Sequence, residues 1–265
     1  MNIKAVLFDL DDTLLWDDRS VMESFEAVCA YASAITSVDS QVLEAAVRSH
    51  ARYLYESFDT FPFTQRIGIN PFEALWANFQ DDYDANFHQL RELAPSYRKE
   101  AWTRGLMELG IRDEQLGEEL SRRFGEERRA RPYVYDDTFS VLDKLKGQYA
   151  LLLLTNGSPD LQKEKLAGVT ELASYFDYIV ISGAFGKGKP APEIFRHSMG
   201  LLGITAEEGV MVGDKLTTDI LGANTVGMRS VWMNRHHIAR TDEIVPFATI
   251  QNLTELIPLL ERWNR

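Results

Sequence analysis

The sequence is short of cysteine, of basic charge and of long apolar runs, and each shortage removes a class of protein. Cys29 is the sole cysteine in 265 residues, so no intramolecular disulfide framework can staple the chain. A thiol without an activating partner reads as a packed apolar residue rather than a nucleophile. Acids outnumber bases 40 to 28, for a formal net charge of −12. Duplex binding relies on Lys and Arg to neutralise phosphates, so nucleic acid is not an expected partner. An anionic small molecule stays compatible, provided that its site supplies local positive charge. Asp9 interrupts the first apolar run after a few residues, and Leu151 to Leu154 is far too brief to cross a bilayer. Neither a signal peptide nor a membrane span is expected, and a reduced, cytoplasmic setting follows. There is no internal repeat and no low-complexity tract. What is present, 45% apolar and 26% charged residues, is the profile of a globular protein. The length suits one large α/β domain or a core with a smaller partner.

Five short apolar runs punctuate the chain: Ala5 to Phe8, Ala150 to Leu154, Tyr178 to Ile181, Gly209 to Val212 and Arg229 to Met233. The first has no helical spacing and reads as a strand buried on both faces. Each run ends in polar or glycine residues, and most are followed by a helical pattern. The alternation predicts an α/β fold, a doubly wound parallel sheet with helices on both faces. Ligands of such sheets sit beyond the carboxyl ends of the strands, so the polar tips should meet. From Trp16 to about Arg128 the pattern changes. Helical spacing covers 20–31, 38–55 and 114–129, while 58–71, with two prolines, one glycine and several aromatics, reads as a loop. Trp76, Phe79, Tyr83 and Phe87 recur at steps of three and four, as on a core-facing helix. The expected division is a core of 1–15 and 130–265 with a helical insert of 16–129 over the strand tips, where it can exclude water and read the substrate.

The strand tips carry the chemistry. Asp9 and Asp11 follow the first run at alternate positions of an extended chain and so share a face. Two such carboxylates stay together when a divalent cation or a shared proton compensates them. Magnesium suits hard oxygen ligands and bridges carboxylates to phosphate. Thr155 and Asn156 end the second run and offer a hydroxyl, an amide and backbone N–H groups to phosphate oxygens. Lys189, in Gly186-Lys187-Gly188-Lys189-Pro190, brings the positive charge that an anionic substrate requires. Asp214, after Gly213, and Asp219 add carboxylates at a fourth tip. Each feature alone has a bland reading as a turn, a surface lysine or a helix-start residue. Four complementary ones on successive strand ends do not.

On these residues the sequence resembles the haloacid dehalogenase-like hydrolases over about 1–15 and 130–235. Asp9 and Asp11 look like the first motif of that family, Thr155 the second, Lys189 the third, and Asp214 with Asp219 the fourth. Lys189-Pro190-Ala191-Pro192 departs from the family's Lys-Pro-Asp-Pro only at Ala191, and Asp136-Asp137 stands where many members carry Pro-Gly. The placement of the insert resembles the subfamily with a helical cap between the first two motifs. The resemblance implies a magnesium-dependent phosphatase in which Asp9 is the nucleophile and Asp11 the acid and base. Thr155, Asn156 and Lys189 would bind phosphate; Asp9, Asp11 and Asp214 would hold the metal, with Asp219 in an outer position. Asp11 favours phosphatase over dehalogenase, because a departing halide needs no proton. The implied substrate is a small phosphorylated metabolite: phosphoserine, a nucleoside monophosphate, FMN or a sugar phosphate. A sugar-phosphate mutase and a non-catalytic binding protein are the alternatives, and the expected state is a monomer or homodimer.

Other motifs carry less. Gly183 to Lys189 nearly spells a P-loop, but Pro190 stands where the metal-binding Ser or Thr belongs. No Gly-x-Gly-x-x-Gly, Gly-x-Ser-x-Gly or His-Glu-x-x-His occurs. His236 and His237 are adjacent, diverge, and read as solvent-facing loop residues. Arg66 is the insert residue expected to reach the substrate.

Overall fold

The computed structural model describes residues 2–239 and 243–265. Four successive apolar residues leave a strand no face for solvent, and Ala5–Phe8 forms β1, completely buried. It is followed by β2 (Ala150–Thr155), β3 (Tyr178–Ile181), β4 (Gly209–Gly213), β5 (Arg229–Met233) and β6 (Ala248–Ile250). These strands form one parallel sheet in the order β3-β2-β1-β4-β5-β6. β1 is central: Ala5 lies opposite Ala150 on one side and Gly209 on the other, and Phe8 opposite Leu153 and Val212. The chain runs outward from β1 through β2 to β3, then returns to β4 on the other side. The carboxyl ends of β2, β1 and β4 therefore stand next to one another.

The chain divides into two compact units. One comprises Met1–Trp16, Val134–Asn156 and Val169–Arg265 and contains the sheet; the other comprises Asp17–Tyr133 and Gly157–Gly168. The second is helical: α1 (Asp17–Thr36), α2 (Ser40–Glu56), α3 (Phe61–Ile67), α4 (Pro71–Ala74), α5 (Ala85–Glu108) and α6 (Glu114–Arg129), joined by α8 (Pro159–Gly168). The sheet unit carries α7 (Thr138–Leu145), α9 (Ser182–Phe185), α10 (Pro192–Leu202), α11 (Leu221–Thr225) and α12 (Leu256–Trp263). On one sheet face Leu7, Leu152, Leu154 and Met211 pack against Ile194 and Phe195 of α10 and Ala223 of α11. Phe8, next along β1, meets Phe176 edge to face.

In the helical unit, Asp39, Asp84 and Asp113 accept hydrogen bonds from the first free N–H groups of α2, α5 and α6. Its core centres on Phe25, Trp102 and Phe124, and Leu161 of α8 belongs to the same core, which accounts for the grouping of 157–168. The unit also buries four charges. Arg128 donates to Asp17 at 2.6 Å, and Lys165 donates to Glu73 at 3.0 Å while lying 3.6 Å from Asp17.

Two local expectations are corrected. The stretch 58–71 is not all loop: α3 forms within it, with Pro62 in the first turn and Gly68 at φ 80° closing the last. Proline and glycine here start and stop a helix. Trp76, Phe79, Tyr83 and Phe87 do not share one helix either, because α4 ends at Ala74 and α5 begins at Ala85. Phe79 instead has φ 53°, and Trp76, Phe79 and Phe87 are buried while Tyr83 is 57% exposed. Among the described residues no helix is long and apolar enough to cross a membrane.

Candidate active site

β1 delivers Asp9, whose N–H donates to Val212 O at 2.9 Å and so continues the pairing with β4 by one residue. The chain then turns back sharply. The N–H groups of Leu14 and Leu15 both donate to Leu10 O, and Asp12 adopts φ 58°. β2 delivers Thr155, buried, followed by Asn156. β4 ends at Gly213 and delivers Asp214. Leu216–Ile220 then forms a wide π-helical turn that tucks Asp219 back, fully buried, with Lys215 N–H donating to its Oδ2 at 3.0 Å. Gly213 makes this approach feasible: a Cβ there would stand 2.3 Å from the Asp219 carboxyl carbon.

Lys189 closes the cluster. Its Nζ is 2.5 Å from Asp9 Oδ1, 2.7 Å from Asp219 Oδ1 and 2.7 Å from Leu154 O. Carboxylate oxygens of Asp9, Asp214 and Asp219 all lie within 4.8 Å of one another. Lys189 thus pairs with two of three clustered acids, and the proton affinities show the excess of negative charge. Burial pushes the Asp9 carboxyl above its ordinary range; Lys189 opposes that shift without cancelling it, and Asp219 adds to it. Burial, then the charges of Asp9 and Asp219, push Asp214 well above the carboxylate range. Burial favours neutral Lys189, but Asp219 and Asp9 outweigh it and hold the ammonium charged. Asp214 Oδ1 is buried and accepts no hydrogen bond. Clustered hard oxygen donors with an orphaned acceptor and excess negative charge fit a divalent cation.

Asp9, Lys189, Asp214 and Asp219 therefore converge, with Asp219 inside the acidic trio rather than one step beyond it. Asp11 is half-buried, and its carboxylate is not one of the trio. Asn156 departs from expectation. Its side-chain amide is engaged with the Lys189 backbone, accepting from N–H at 2.8 Å and donating to the carbonyl at 3.0 Å. Arg66 sits on α3, its guanidinium 5.3 Å from the Phe63 ring centre and 4.0 Å from the Asp84 carboxylate. His236 and His237 are exposed. Cys29 is buried, and desolvation pushes its thiol up to about 12, so it is a packing residue.

Sequence reasoning missed three supports. Lys215 lowers the proton affinity of both Asp9 and Asp214; its only signal was adjacency to the fourth motif. Trp232 Nε1 donates to Asp214 O at 2.8 Å, and no pattern announces a bond across two strand tips. Arg235 forks onto Asp137 at 2.8 and 3.1 Å and donates to Thr13 O at 3.2 Å, while Asp137 also accepts from Leu253 N–H. An aspartate in place of the usual glycine thus braces the turn after Asp9.

The model of the haloacid dehalogenase-like hydrolase family matches residues 3–227. A phosphoserine phosphatase of Thermus thermophilus is 34% identical over 257 residues, 96% of this chain and 98% of its own. A phosphatase of the same superfamily from Thermococcus onnurineus superposes with a TM-score of 0.57 at 27% identity, covering 97% of this chain and 98% of its own. The hydrolase YfnB of Bacillus subtilis shares the fold, with a TM-score of 0.67 at 21% identity over 98% of this chain and 99% of its own. With the expected strands, the helical insert and the matching family model in place, the chain belongs to the haloacid dehalogenase-like hydrolases, on their phosphatase branch.

Proposed function

We propose that the protein hydrolyses the phosphomonoester of a small metabolite, phosphoserine foremost, through an aspartyl-phosphate on Asp9. The observation that carries this reading is the contact of Lys189 Nζ with Asp9 Oδ1 inside a trio of converging carboxylates. An ammonium that favours the anionic carboxylate keeps it available as a nucleophile. Asp9 attacks phosphorus as the ester P–O bond breaks, and Asp11 gives a proton to the leaving alkoxide. Asp11 then takes a proton from water, which attacks the phosphorus and releases inorganic phosphate and free Asp9. Thr155, Lys189 and backbone N–H groups past β2 hold the phosphate oxygens. Asp9, Asp214 and Asp219 are the side chains that would hold magnesium, with Asp11 beside them. The ion supplies positive charge against the phosphate.

A relative 34% identical along nearly its whole length is a phosphoserine phosphatase, which favours that substrate over the other candidates. The Bacillus relative, 28% identical over 98% of this chain, has been crystallised bound to magnesium, which favours that ion. The test is phosphate release from phosphoserine and a panel of nucleotides, FMN and sugar phosphates, with magnesium and with EDTA. Magnesium-dependent release, greatest on phosphoserine and lost in Asp9→Asn, is the expected result. A different best substrate would overturn the phosphoserine assignment, and undiminished turnover in Asp9→Asn would overturn the covalent mechanism.

A further inference from the structure

We infer that Asn156 is a positioning residue, whose side-chain amide fixes the backbone of Lys189 instead of meeting the phosphate; the inference rests on the phosphatase reading above. Both ends of the amide are in use. Oδ1 accepts from Lys189 N–H at 2.8 Å and Nδ2 donates to Lys189 O at 3.0 Å. One planar amide thus pairs with the donor and the acceptor of a single residue, which defines its position and orientation together. Moving Nδ2 to a phosphate oxygen would leave the Lys189 carbonyl without this donor.

Two further observations fit the clamp. Gly188 is the residue against which the amide lies: a Cβ there would stand 2.8 to 3.0 Å from the Asn156 amide atoms. The glycine before Lys189 therefore serves close approach, not flexibility alone. The end of β2 also grips Lys189 twice, through Asn156 at the backbone and through Leu154 O at Nζ, 2.7 Å away. A lysine side chain has four rotatable bonds, and anchoring its root and its tip on one strand end selects the conformer that also reaches Asp9 and Asp219. Misplacement of a reacting group by about 1 Å can lower a rate about 10²-fold.

A double-mutant cycle separates positioning from direct contact. Inorganic phosphate is the probe, its affinity measured by calorimetry with magnesium for the full chain, Asn156→Ala, Lys189→Met and the double variant. Melting temperatures show which variants fold. Positioning through Lys189 predicts that Asn156→Ala weakens phosphate binding in the wild-type background and adds nothing once Lys189 is Met. An equal loss in both backgrounds means direct contact and overturns the inference. Gly188→Ala decides independently of those variants: displacing the amide should lower kcat about 10²-fold, with KM changing less. Wild-type kcat in Gly188→Ala would show that the clamp is dispensable. Turnover of the unmodified protein is measured first. Its absence would count against the phosphatase reading, while the phosphate-binding cycle would still judge the clamp.

Discussion

Each unit of the protein buries a cluster of charges, and the two clusters are built to opposite rules. In the helical unit Asp17 and Glu73 face Arg128 and Lys165, two acids for two bases. At the strand tips Lys189 pairs with Asp9 and Asp219, and Asp214 has the charge of Lys215 as its counterweight. Burial works to raise Asp17 in one cluster and Asp9 and Asp214 in the other; the partners decide the outcome. Burial pushes Asp17 up, but Lys165 and Arg128 outweigh it and bring its carboxyl down to about 2. Asp9 and Asp214 stay raised because too few cations face them. A balanced cluster is complete within the chain and acts on stability. An unbalanced one is complete only with a further positive charge, and that deficit marks it as a ligand site.

The comparison breaks most visibly at Asp9. Asp9→Asn should lower phosphate release by roughly 10³-fold or more, while the melting temperature holds or rises because one repelling acid is gone. A fall of several degrees would mean that the tip cluster is structural after all. Gly213→Ala comes next. Its Cβ overlaps the Asp219 carboxyl, so Asp219 must shift, and turnover should drop about 10²-fold in a folded protein. In the helical unit, Asp17→Asn takes the carboxylate from Arg128 and leaves one acid, Glu73, for two cations. It should cost about 3 kcal/mol of that unit's stability, read as an earlier unfolding transition in calorimetry.

The pH dependence has a definite sign. The folded pKa of Asp17 lies below its ordinary 3.8, so its contribution is present above about pH 4 and is lost as pH falls toward 2. The loss amounts to about 2 kcal/mol, and an acid melt of Asp17→Asn should lack that component. An effect of similar size concerns the metal. Magnesium at about 100 times its dissociation constant should stabilise the unmodified protein by about 2.7 kcal/mol, and EDTA should reverse this. In Asp214→Asn the shift should shrink or vanish. An undiminished shift would place the ion elsewhere.

How far the sequence could be read differs between the units as well. The sheet was legible because strands buried on both faces must be short, continuous and apolar, and its polar tips stood out against them. Only β6 escaped, three residues being too few to carry a pattern. The helical unit was harder. α5 buries Phe87, Leu90, Ala94, Tyr97 and Ala101 at steps of three and four, yet Pro95 lies in its interior and reads as a stop. Trp76 and Phe79 kept helical spacing by coincidence on a non-helical segment. At the site, residue types and strand ends pointed to Asp9, Lys189, Asp214 and Asp219, which the fold brings together. The partner of Asn156 was not readable, because a side-chain amide suits a phosphate oxygen and a backbone carbonyl equally well. It is the fold that brings the amide against Lys189. Arg235 and Asp137 met the same limit, since their bond joins residues far apart in the chain.

The central place of β1 also sets an order of events during synthesis. β1 pairs with β2 and β4, so once made it has no neighbour in the sheet until Ala150 and then Gly209 have emerged. The helices from Asp17 to Tyr133 leave the ribosome in between and can associate first. Lys165, which joins their charge cluster, comes later still, so Glu73 waits for its cation while Asp17 already has Arg128. The helical segments are therefore synthesised before the clustered carboxylates can meet, and a chain truncated before Asp214 would carry a nascent helical unit without the acidic trio.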